Sequence, residues 1–326
     1  MKAIVFEEFG PPEVLHLAEV EKPVPGAGEV RIKIYAASVT KYDTWVRSAT
    51  APPGFGLIMR LANGRKPEHP ILGTELAGEI DAVDPAATRL QVGDLVFGFT
   101  GEKLSTYTEY ICLPEGAVVH KPANLTSAEA AGVPEGALTA LFFLRKADIQ
   151  SGQKVLIFGA SGGVGSYAMQ LAKHYFGAAV TGVCSTAKLD YVKSLGADQV
   201  IDYTQEDFTQ NGQVYDVIFD TVGKSSIMHC RKSLAKKGSY IYATFSMAAL
   251  LQMLWFSTVS SQKFVYGLLQ EQTEDLILLK DLIEAGKLTP VIDRTYPLEQ
   301  AVDAHRYVET GRKAGSVILT VTENLN

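Results

Sequence analysis

The sequence predicts an α/β protein with two domains, a β-rich barrel and a doubly wound parallel sheet. Three features support this prediction: the length, a change of pattern near residue 126, and a glycine-rich turn after a buried strand. The chain has 326 residues, and domains of roughly 100–200 residues are usual, so two domains are expected. A content of 47% hydrophobic and 20% charged residues is that of a globular chain and excludes disorder.

The charge balance and the cysteines exclude several classes of protein. A net charge of −6 without a basic run argues against nucleic-acid binding, which needs clustered Lys and Arg. Cys112, Cys184 and Cys230 are far apart and form neither a disulfide framework nor a CxxC zinc motif. The chain opens with the strand-like Lys2–Phe6 and lacks the long apolar stretch of a secretory signal. We therefore expect a cytoplasmic protein.

Residues 1–125 read as a β-rich domain. Short apolar runs are separated by Gly and Pro, which interrupt regular structure, and helical periodicity is scarce. The pattern predicts a small barrel of mostly antiparallel strands, with strands in Val30–Tyr35, Ile71–Leu72, Leu76–Val83, Asp94–Phe99 and Tyr107–Leu113.

Residues 126–271 alternate between strands and helices, which indicates a parallel sheet built from βαβ crossovers. Residues 272–326 form a C-terminal segment with two helical patterns and a last strand at Ser316–Val321, and we expect it to return to the first domain. The strands and helices predicted in the middle domain are Lys154–Ala160, a helix from Val164, Ala179–Cys184, helical Lys188–Leu195, Gln199–Tyr203, Tyr215–Thr221, helical Ser225–Leu234 and Ser239–Thr244.

The strongest chemical signal is the turn Ala160–Gly165, with the sequence ASGGVG, between a buried strand and a helix. It supplies the dinucleotide fingerprint GxGxxG with alanine in the first position. Gly162 lets the backbone approach a pyrophosphate, and Gly165 lets the helix pack closely on the strand. The free N–H groups at the start of the helix would bind the phosphates. Ser161, Gly162, Gly163, Val164 and Gly165 are therefore predicted to bind a cofactor.

The end of the second strand favours NADPH over NADH. An NAD site usually has Asp or Glu about 20 residues after the glycine turn, and here that position holds Ser185, beside Cys184. A hydroxyl group and the ammonium group of Lys188 would suit a 2′-phosphate, although Lys188 could also be an ordinary exposed lysine. Tyr203, at the end of the third strand, could add a ring or a hydroxyl group beside the adenosine.

The chain resembles the zinc-independent quinone oxidoreductases, the zeta-crystallin-like group of the medium-chain dehydrogenase/reductase superfamily. This resemblance implies a GroES-like barrel, a Rossmann domain and, through paired sheet edges, a homodimer. It spans nearly the whole chain and is carried by Gly152–Leu156, Ala160–Gly165, Ala37–Asp43, Leu72–Gly78, Val92–Val96, Leu195–Tyr203 and Asp220–Gly223.

Two threonines stand where zinc-dependent relatives carry metal ligands, Thr40 in place of a cysteine and Thr74 in place of a histidine. A hydroxyl group is a poor zinc ligand beside thiolate or imidazole, so we expect no metal. Hydroxyl or ammonium donors must then stabilise the charge on the hydride acceptor. A quinone or an α,β-unsaturated carbonyl needs the least help, because conjugation delocalises that charge.

The expected donors lie at Thr40, Lys41 and Tyr42. Tyr42 could protonate the acceptor or position it, Lys41 could equally be a solvated lysine, and Asp43 is expected to cap the helix that follows. By resemblance, the nicotinamide would contact Thr139, Thr221, Val222, Gly223, Ala243, Thr244 and Phe245.

The predicted function is NADPH-dependent, zinc-independent reduction of a quinone or an α,β-unsaturated carbonyl compound. There are two alternatives. One is a carbonyl or enoyl-thioester reductase on the same scaffold, and the other is a catalytically idle NADPH-binding protein with a structural or redox-sensing role.

The apolar Met247–Phe256 lies within a charge-free stretch and could be a buried helix or pocket wall, a subunit or membrane-surface contact, or a membrane span.

Overall fold

The computed structural model describes residues 1–50, 55, 64, 66–244, 246–267, 269 and 273–322. Contacts within the chain divide it into two compact units. The first comprises Met1–Thr50, Leu57–Glu135 and Glu271–Asn326, and the second comprises Ala51–Gly56 and Gly136–Gln270. Each unit is built around its own sheet.

The described residues form these strands: β1 (Lys2–Val5), β2 (His16–Glu19), β3 (Glu29–Val39), β4 (Glu75–Val83), β5 (Leu95–Phe99), β6 (Tyr110–Pro114), β7 (Val118–His120), β8 (Lys154–Phe158), β9 (Ala179–Cys184), β10 (Gln199–Asp202), β11 (Tyr215–Asp220), β12 (Leu234–Tyr242), β13 (Lys263–Val265), β14 (Ile292–Pro297) and β15 (Ser316–Thr320). They also form these helices: α1 (Lys41–Ser48), α2 (Ser127–Ala131), α3 (Pro134–Lys146), α4 (Gly163–His174), α5 (Leu189–Ser194), α6 (Ile227–Cys230), α7 (Met247–Val259), α8 (Thr273–Glu284) and α9 (Ala301–Glu309).

The first unit contains a largely antiparallel sheet in the order β14-β15-β3-β4-β5-β7, with β6 also paired to β3. The long β3 alternates buried and half-buried residues in its first half and is fully buried near its end. Strand β15 pairs antiparallel with β3 through Val317 and Val39, so the C-terminal segment completes this sheet. Phe6 and Leu72 from the first domain share one core with Leu319, near the C-terminus.

The second unit contains a six-stranded sheet of described residues in the order β10-β9-β8-β11-β12-β13, and every pair is parallel. The chain moves outward from β8 through β9 to β10 and then returns to add β11 on the other side. The strand order therefore reverses between β8 and β11. Ligands of open parallel sheets bind at such a switch point, beyond the carboxyl ends of the strands.

The predicted fold class, a GroES-like β-rich domain plus a Rossmann parallel sheet, is confirmed. The helix predicted over Ser225–Leu234 is shorter: α6 covers Ile227–Cys230, and Leu234 already begins β12. Strand β14 was not predicted, because its half-exposed residues show no clear apolar alternation.

The apolar Met247–Phe256 belongs to helix α7, in which only Met253 and Phe256 are buried among the described side chains. Within the described part of the chain, no helix combines the length and the apolar character that crossing a bilayer requires.

Candidate functional site

The glycine-rich turn lies after β8, at the switch point of the parallel sheet. Gly159 has a φ of 82°, which favours glycine, and its N–H donates to the carbonyl of Val183 on β9. A Cβ atom on Gly165 would lie 2.1 Å from the carbonyl oxygen of Gly159. Only glycine therefore allows α4 to begin so close to the turn.

The outer surface of the turn is open. Gly162 is the N-cap residue of α4 and has no side chain to cap the first N–H groups of the helix. A Cβ atom on Gly162 would meet only the carbonyl oxygen of Gly159, at 3.4 Å. Ser161, Gly163 and Val164 are half-buried around it. Open N–H groups at a helix N-terminus fit the pyrophosphate of a dinucleotide, so the residues present suit such a cofactor.

A buried carboxylate holds the neighbouring loop after β11. Asp220 is fully buried and accepts hydrogen bonds from the N–H groups of Val222 (2.9 Å), Gly223 (2.8 Å) and Ser225 (2.8 Å), and from the Ser225 hydroxyl (2.5 Å). Burial raises the pKa of Asp220, while these four donors lower it. Asp220 thus fixes the shape of the loop that contains Thr221, Val222 and Gly223.

This loop touches the glycine turn. The Thr221 hydroxyl donates to the carbonyl oxygen of Phe158 at 2.9 Å, and a Cβ atom on Gly159 would lie 2.7 Å from that hydroxyl oxygen. The structure therefore brings the predicted phosphate-binding and nicotinamide-binding segments together at one sheet edge. Val222 is 42% exposed there, as a ligand-facing side chain can be.

The remaining residues predicted near the nicotinamide lie on two other elements. Ala243 and Thr244 follow β12, and a Cβ atom on Gly223 would lie 2.5 Å from the Thr244 carbonyl oxygen. Thr139 is half-buried within α3. Phe245 lies outside the described residues.

The residues predicted to select the dinucleotide lie at the ends of β9 and β10. Cys184 is buried at the end of β9, and Ser185 and Lys188 are half-buried in the turn after it. Tyr203 is 56% exposed, and its N–H donates to the Cys184 carbonyl at 3.1 Å. Its ring centroid lies 6.2 Å from that of Phe158, the last residue of β8.

A carboxylate that sequence spacing did not predict lies beside this turn. Strand β10 pairs with β9 so that Asp202 is opposite Cys184, and the Thr186 hydroxyl donates to Asp202 at 2.5 Å. Asp202 also accepts from the N–H and the hydroxyl of Thr204, at 2.9 and 2.7 Å. These donors lower the pKa of Asp202. Strand pairing, which a count of residues does not reveal, brings this charge to the turn.

A cavity of about 920 Å³ opens beside Tyr203. Phe158 and Phe208 give it apolar surface, and Lys224, Glu206 and Asp207 give it charges of both signs. Its wall also includes the loop that Asp220 anchors, through Ser225 and Ser226. The cavity is large enough for a nucleoside portion of a cofactor.

In the first unit, the predicted donors lie at the start of α1. Thr40 is the N-cap residue: its hydroxyl donates to Asp43 at 2.8 Å and accepts the Asp43 N–H at 3.3 Å. Asp43 was expected to precede and cap the helix, but the helix begins earlier, at Lys41, so Asp43 lies in its first turn and completes a capping box with Thr40; Asp43 also accepts the Gly73 N–H at 3.0 Å. Lys41 is exposed and Tyr42 is 37% exposed.

The second threonine, Thr74, leads to a pair of carboxyl groups that sequence reasoning did not select. Its hydroxyl donates to Glu135 at 3.2 Å, and the Glu135 N–H donates to the buried carboxyl of Glu75 at 2.6 Å. Glu75 also accepts from the Ser38 hydroxyl. Lys313 is half-buried, and the charges of both glutamates act on it.

Both glutamates hold their protons unusually tightly. Burial, followed by the charge of Glu135, raises the pKa of Glu75 to about 8. Burial, followed by the charge of Asp43, raises the pKa of Glu135 to about 7. At neutral pH the pair therefore carries at least one proton for much of the time.

The comparison with known proteins agrees with this geometry. Residues 26–123 match the alcohol dehydrogenase GroES-like domain, and residues 195–319 match a family described as zinc-binding dehydrogenase. A 2-methylene-furan-3-one reductase of Solanum lycopersicum is 34% identical over 98% of this chain and 79% of its own length. The chain belongs to the medium-chain dehydrogenase/reductase superfamily.

Within this superfamily the chain is quinone oxidoreductase-like, and it is an oxidoreductase. The NADPH-dependent alkenal/one oxidoreductase of Arabidopsis thaliana is 31% identical over 98% of this chain and 79% of its own length. The solved quinone oxidoreductase of Coxiella burnetii has a TM-score of 0.87, with 31% identity and 99% coverage of both chains.

One matching family is described as zinc-binding, so we examined Thr40 and Thr74, which stand where zinc-dependent relatives are expected to carry metal ligands. The hydroxyls of Thr40 and Thr74 are engaged by Asp43 and Glu135. Among the described residues, no group of three or more His, Cys, Asp or Glu side chains could hold a metal ion.

The sequence did contain a signal for the two glutamates that were not predicted. Glu75 and Glu135 are single charged residues inside apolar runs, where burying a charge is expected to cost free energy.

Proposed function

We propose that this protein reduces quinones or α,β-unsaturated carbonyl compounds with NADPH. The observation that carries the proposal is the open glycine turn at Ser161–Gly165, next to the loop fixed by Asp220. Together they form the two edges of a dinucleotide site at a switch point. When bound there, the reduced nicotinamide supplies a hydride.

In this proposal, the chain binds NADPH along the carboxyl edge of its parallel sheet. The glycine turn binds the pyrophosphate, and the cavity beside Tyr203 receives the adenosine. Thr221, Val222 and Gly223, with Ala243, Thr244 and Thr139, hold the nicotinamide end. The Asp220 hydrogen bonds keep this edge in one shape before the cofactor arrives, which reduces the loss of entropy on binding.

The preference for NADPH rests on Ser185 and Lys188, which offer a hydroxyl and an ammonium group to a 2′-phosphate. The Asp202 carboxylate would oppose a phosphate, but it already accepts three hydrogen bonds from Thr186 and Thr204. A relative named as NADPH-dependent supports the same preference.

The proposed class of hydride acceptor, conjugated carbonyl compounds, is supported by the names of the relatives and by the chemistry of hydride transfer. The relatives are named as reductases of a methylene-furanone, alkenals and enones, and quinones, all conjugated carbonyl compounds. Conjugation spreads the charge that a hydride brings, so a hydroxyl donor can stabilise it. We assign that contact to Tyr42, with Thr40 and Lys41 orienting the acceptor. The Glu75 and Glu135 pair keeps the proton that completes the reduction, beside the Thr74 hydroxyl.

The direct test measures cofactor consumption by the purified protein, with a chelator present, against a naphthoquinone, an alkenone and a simple ketone. We expect rapid NADPH oxidation with a conjugated acceptor, a much slower rate with NADH and none with the simple ketone. Tight NADPH binding without consumption would instead support the idle binding or sensing alternative. Oxidation of a simple alcohol with NADP⁺ that the chelator stops would contradict the proposal.

A variant tests the phosphate contact. Lys188→Gln should lower kcat/KM for NADPH by about tenfold or more, the usual value of a lost charged hydrogen bond, and leave NADH unchanged. The matched control is Lys193→Gln, an exposed lysine on α5, which should change neither. An equal loss with both cofactors would remove Lys188 from the 2′-phosphate site.

A further inference from the structure

Two turns at the carboxyl edge of the parallel sheet are joined by the carboxylate of Asp202. The turn after β9 contains Ser185 and Lys188, and the turn after β10 begins with Tyr203. Asp202 is the last residue of β10, is only 9% exposed and lies between the two turns. The residues proposed to face the adenosine end of NADPH are therefore carried by two separate segments, with Asp202 at their junction.

The two carboxylate oxygens of Asp202 hold different segments. Its Oδ2 atom accepts the hydroxyl of Thr186 at 2.5 Å, which fixes the turn after β9. Its Oδ1 atom accepts the N–H and the hydroxyl of Thr204, at 2.9 and 2.7 Å, which fixes the turn after β10. The two threonine hydroxyl oxygens are themselves 3.0 Å apart. The carboxylate and the two hydroxyls thus form a closed cluster that ties one turn to the other.

The main chain and the charges meet at the same junction. The Tyr203 N–H donates to the Cys184 carbonyl at 3.1 Å, and the strand register places Asp202 opposite Cys184. Burial, followed by the negative charge of Asp202, raises the pKa of the Cys184 thiol to about 11, against the lowering effect of the Lys188 ammonium group. The charges of Asp202 and Lys188 therefore act on one thiol, beside the place where the 2′-phosphate is proposed to bind.

A carboxylate at this junction has two opposed effects on a phosphate ligand. Its hydrogen bonds hold the turn of Ser185 and Lys188 in one conformation, so less entropy is lost when the ligand binds. Its negative charge repels the phosphate. Hydrogen bonds, chiefly from the Thr186 hydroxyl, lower the pKa of Asp202, so this charge is present at neutral pH.

We propose that Asp202 is a positioning residue that sets the preference for NADPH over NADH: it orders the turn that binds the 2′-phosphate, and its charge limits the affinity of that turn. This inference rests on the proposed function, because it requires the 2′-phosphate to bind at Ser185 and Lys188. Asp202 acts through Thr186 and Thr204, which occupy its oxygens, and not by touching the cofactor. The hydrogen bonds and the charge of one residue thus act in opposite directions.

Two substitutions of Asp202 separate the hydrogen bonds from the charge. In Asp202→Asn, the amide oxygen can still accept from Thr204. The amide nitrogen can donate to the Thr186 hydroxyl, whose proton then turns towards the Thr204 hydroxyl oxygen. This variant keeps the tie between the turns and loses the charge, whereas Asp202→Ala loses both.

The test is titration calorimetry of the purified full-length protein with adenosine 2′,5′-bisphosphate and with adenosine 5′-monophosphate, which differ only in the 2′-phosphate. Asp202→Asn should bind the bisphosphate about two- to fivefold more tightly than the wild type, and this gain should shrink in high salt. Asp202→Ala should bind the bisphosphate about tenfold more weakly, because the turn is no longer held. The affinity for the monophosphate should stay close to that of the wild type in both variants.

A second variant and a control accompany this pair. Thr186→Val removes the hydroxyl from the tie and leaves the carboxylate in place, so it should weaken binding of the bisphosphate, as Asp202→Ala does. Asp84→Ala removes a carboxylate that accepts the N–H groups of Gly28 and Ala86 in the first unit, and it should bind both nucleotides as the wild type does. Circular dichroism and thermal unfolding check that each variant is folded.

Three outcomes would overturn the proposal, and they are distinguishable. A wild type that binds both nucleotides equally would overturn the NADPH preference and the role of Asp202 with it. A wild type that prefers the bisphosphate, beside an Asp202→Ala variant that keeps the same preference, would overturn the role of Asp202 alone. Equal losses of affinity for both nucleotides in Asp202→Ala and Asp202→Asn would show that this residue only stabilises the fold.

Discussion

Each unit buries carboxyl groups, but the two sets differ in their hydrogen-bond partners. Asp220 in the second unit accepts four hydrogen bonds, three of them from backbone N–H groups. Glu75 in the first unit accepts from one N–H and one hydroxyl and faces the charge of Glu135. Burial raises the pKa in both places. Because Asp220 has many donors, it acts as an anchor, a carboxylate that holds a loop in place. Because the glutamates have few donors and face a like charge, they act as a proton store, a pair that can hold and release a proton near neutral pH.

This contrast assigns different tasks to similar residues. An anchor must remain an acceptor, because N–H groups can only donate, so Asp220 shapes the cofactor loop. A proton store must change its ionisation near neutral pH, as the raised pKa of the glutamates allows. Four predictions test this division, starting with the largest effect.

Asp220→Ala should have the largest effect, because it leaves four part-buried donors without their acceptor. We expect a loss of roughly 3 kcal/mol in the free energy of unfolding and at least about tenfold weaker NADPH binding. Urea unfolding and a fluorescence titration with NADPH measure the two quantities. Ser225→Ala removes one of the four donors and should lose only about 1 kcal/mol. Equal losses in the two variants would show that Asp220 is no anchor.

Glu135→Gln should change the pH dependence of catalysis. In the wild type, kcat/KM should fall as the pH rises through about 7, because Glu135 then loses its proton. In Glu135→Gln it should be about tenfold lower at pH 6, and that fall with pH should disappear. A pH series with the preferred acceptor gives the profile. A variant that is slower but keeps the same pH profile would assign Glu135 a purely structural role.

Glu75→Gln should flatten the pH dependence of stability. A carboxyl whose pKa is higher in the folded than in the unfolded protein binds its proton more tightly when folded, so stability falls as the pH rises from its ordinary value of 4.5 to about 8. The variant should lack this fall, so its free energy of unfolding should rise relative to that of the wild type between pH 5 and pH 8. Unfolding curves at several pH values measure this. A fall of the same size in both proteins would contradict a raised pKa.

Thr74→Val should have the smallest effect. Its hydroxyl lowers the pKa of Glu135, so removing it should move the fall in kcat/KM to higher pH by a fraction of a unit. Thr108→Val is the matched control, because that buried hydroxyl donates to the Lys2 carbonyl instead. A shift to lower pH in Thr74→Val would mean that the hydroxyl does not act on Glu135.

The sequence predicted those features that depend on neighbours along the chain. The glycine turn and the parallel sheet are encoded within short segments, so periodicity and motif spacing were sufficient. Glu75 and Glu135 are 60 residues apart and meet only in the folded chain. Asp202 reaches the Ser185 turn through the pairing of β10 with β9. The sequence also could not predict that α7 exposes apolar side chains, because a charge-free apolar run has the same pattern whether it is buried or exposed.

The most direct measurement of this division is infrared difference spectroscopy of the carboxyl C=O stretch across a pH titration. The protonated carboxyl band of the glutamate pair should persist at pH 7, fade as the pH rises through about 8, and be reduced in Glu75→Gln. Asp220→Asn should leave that band unchanged. A wild-type protein whose carboxyl bands all vanish below pH 5 would contradict the account.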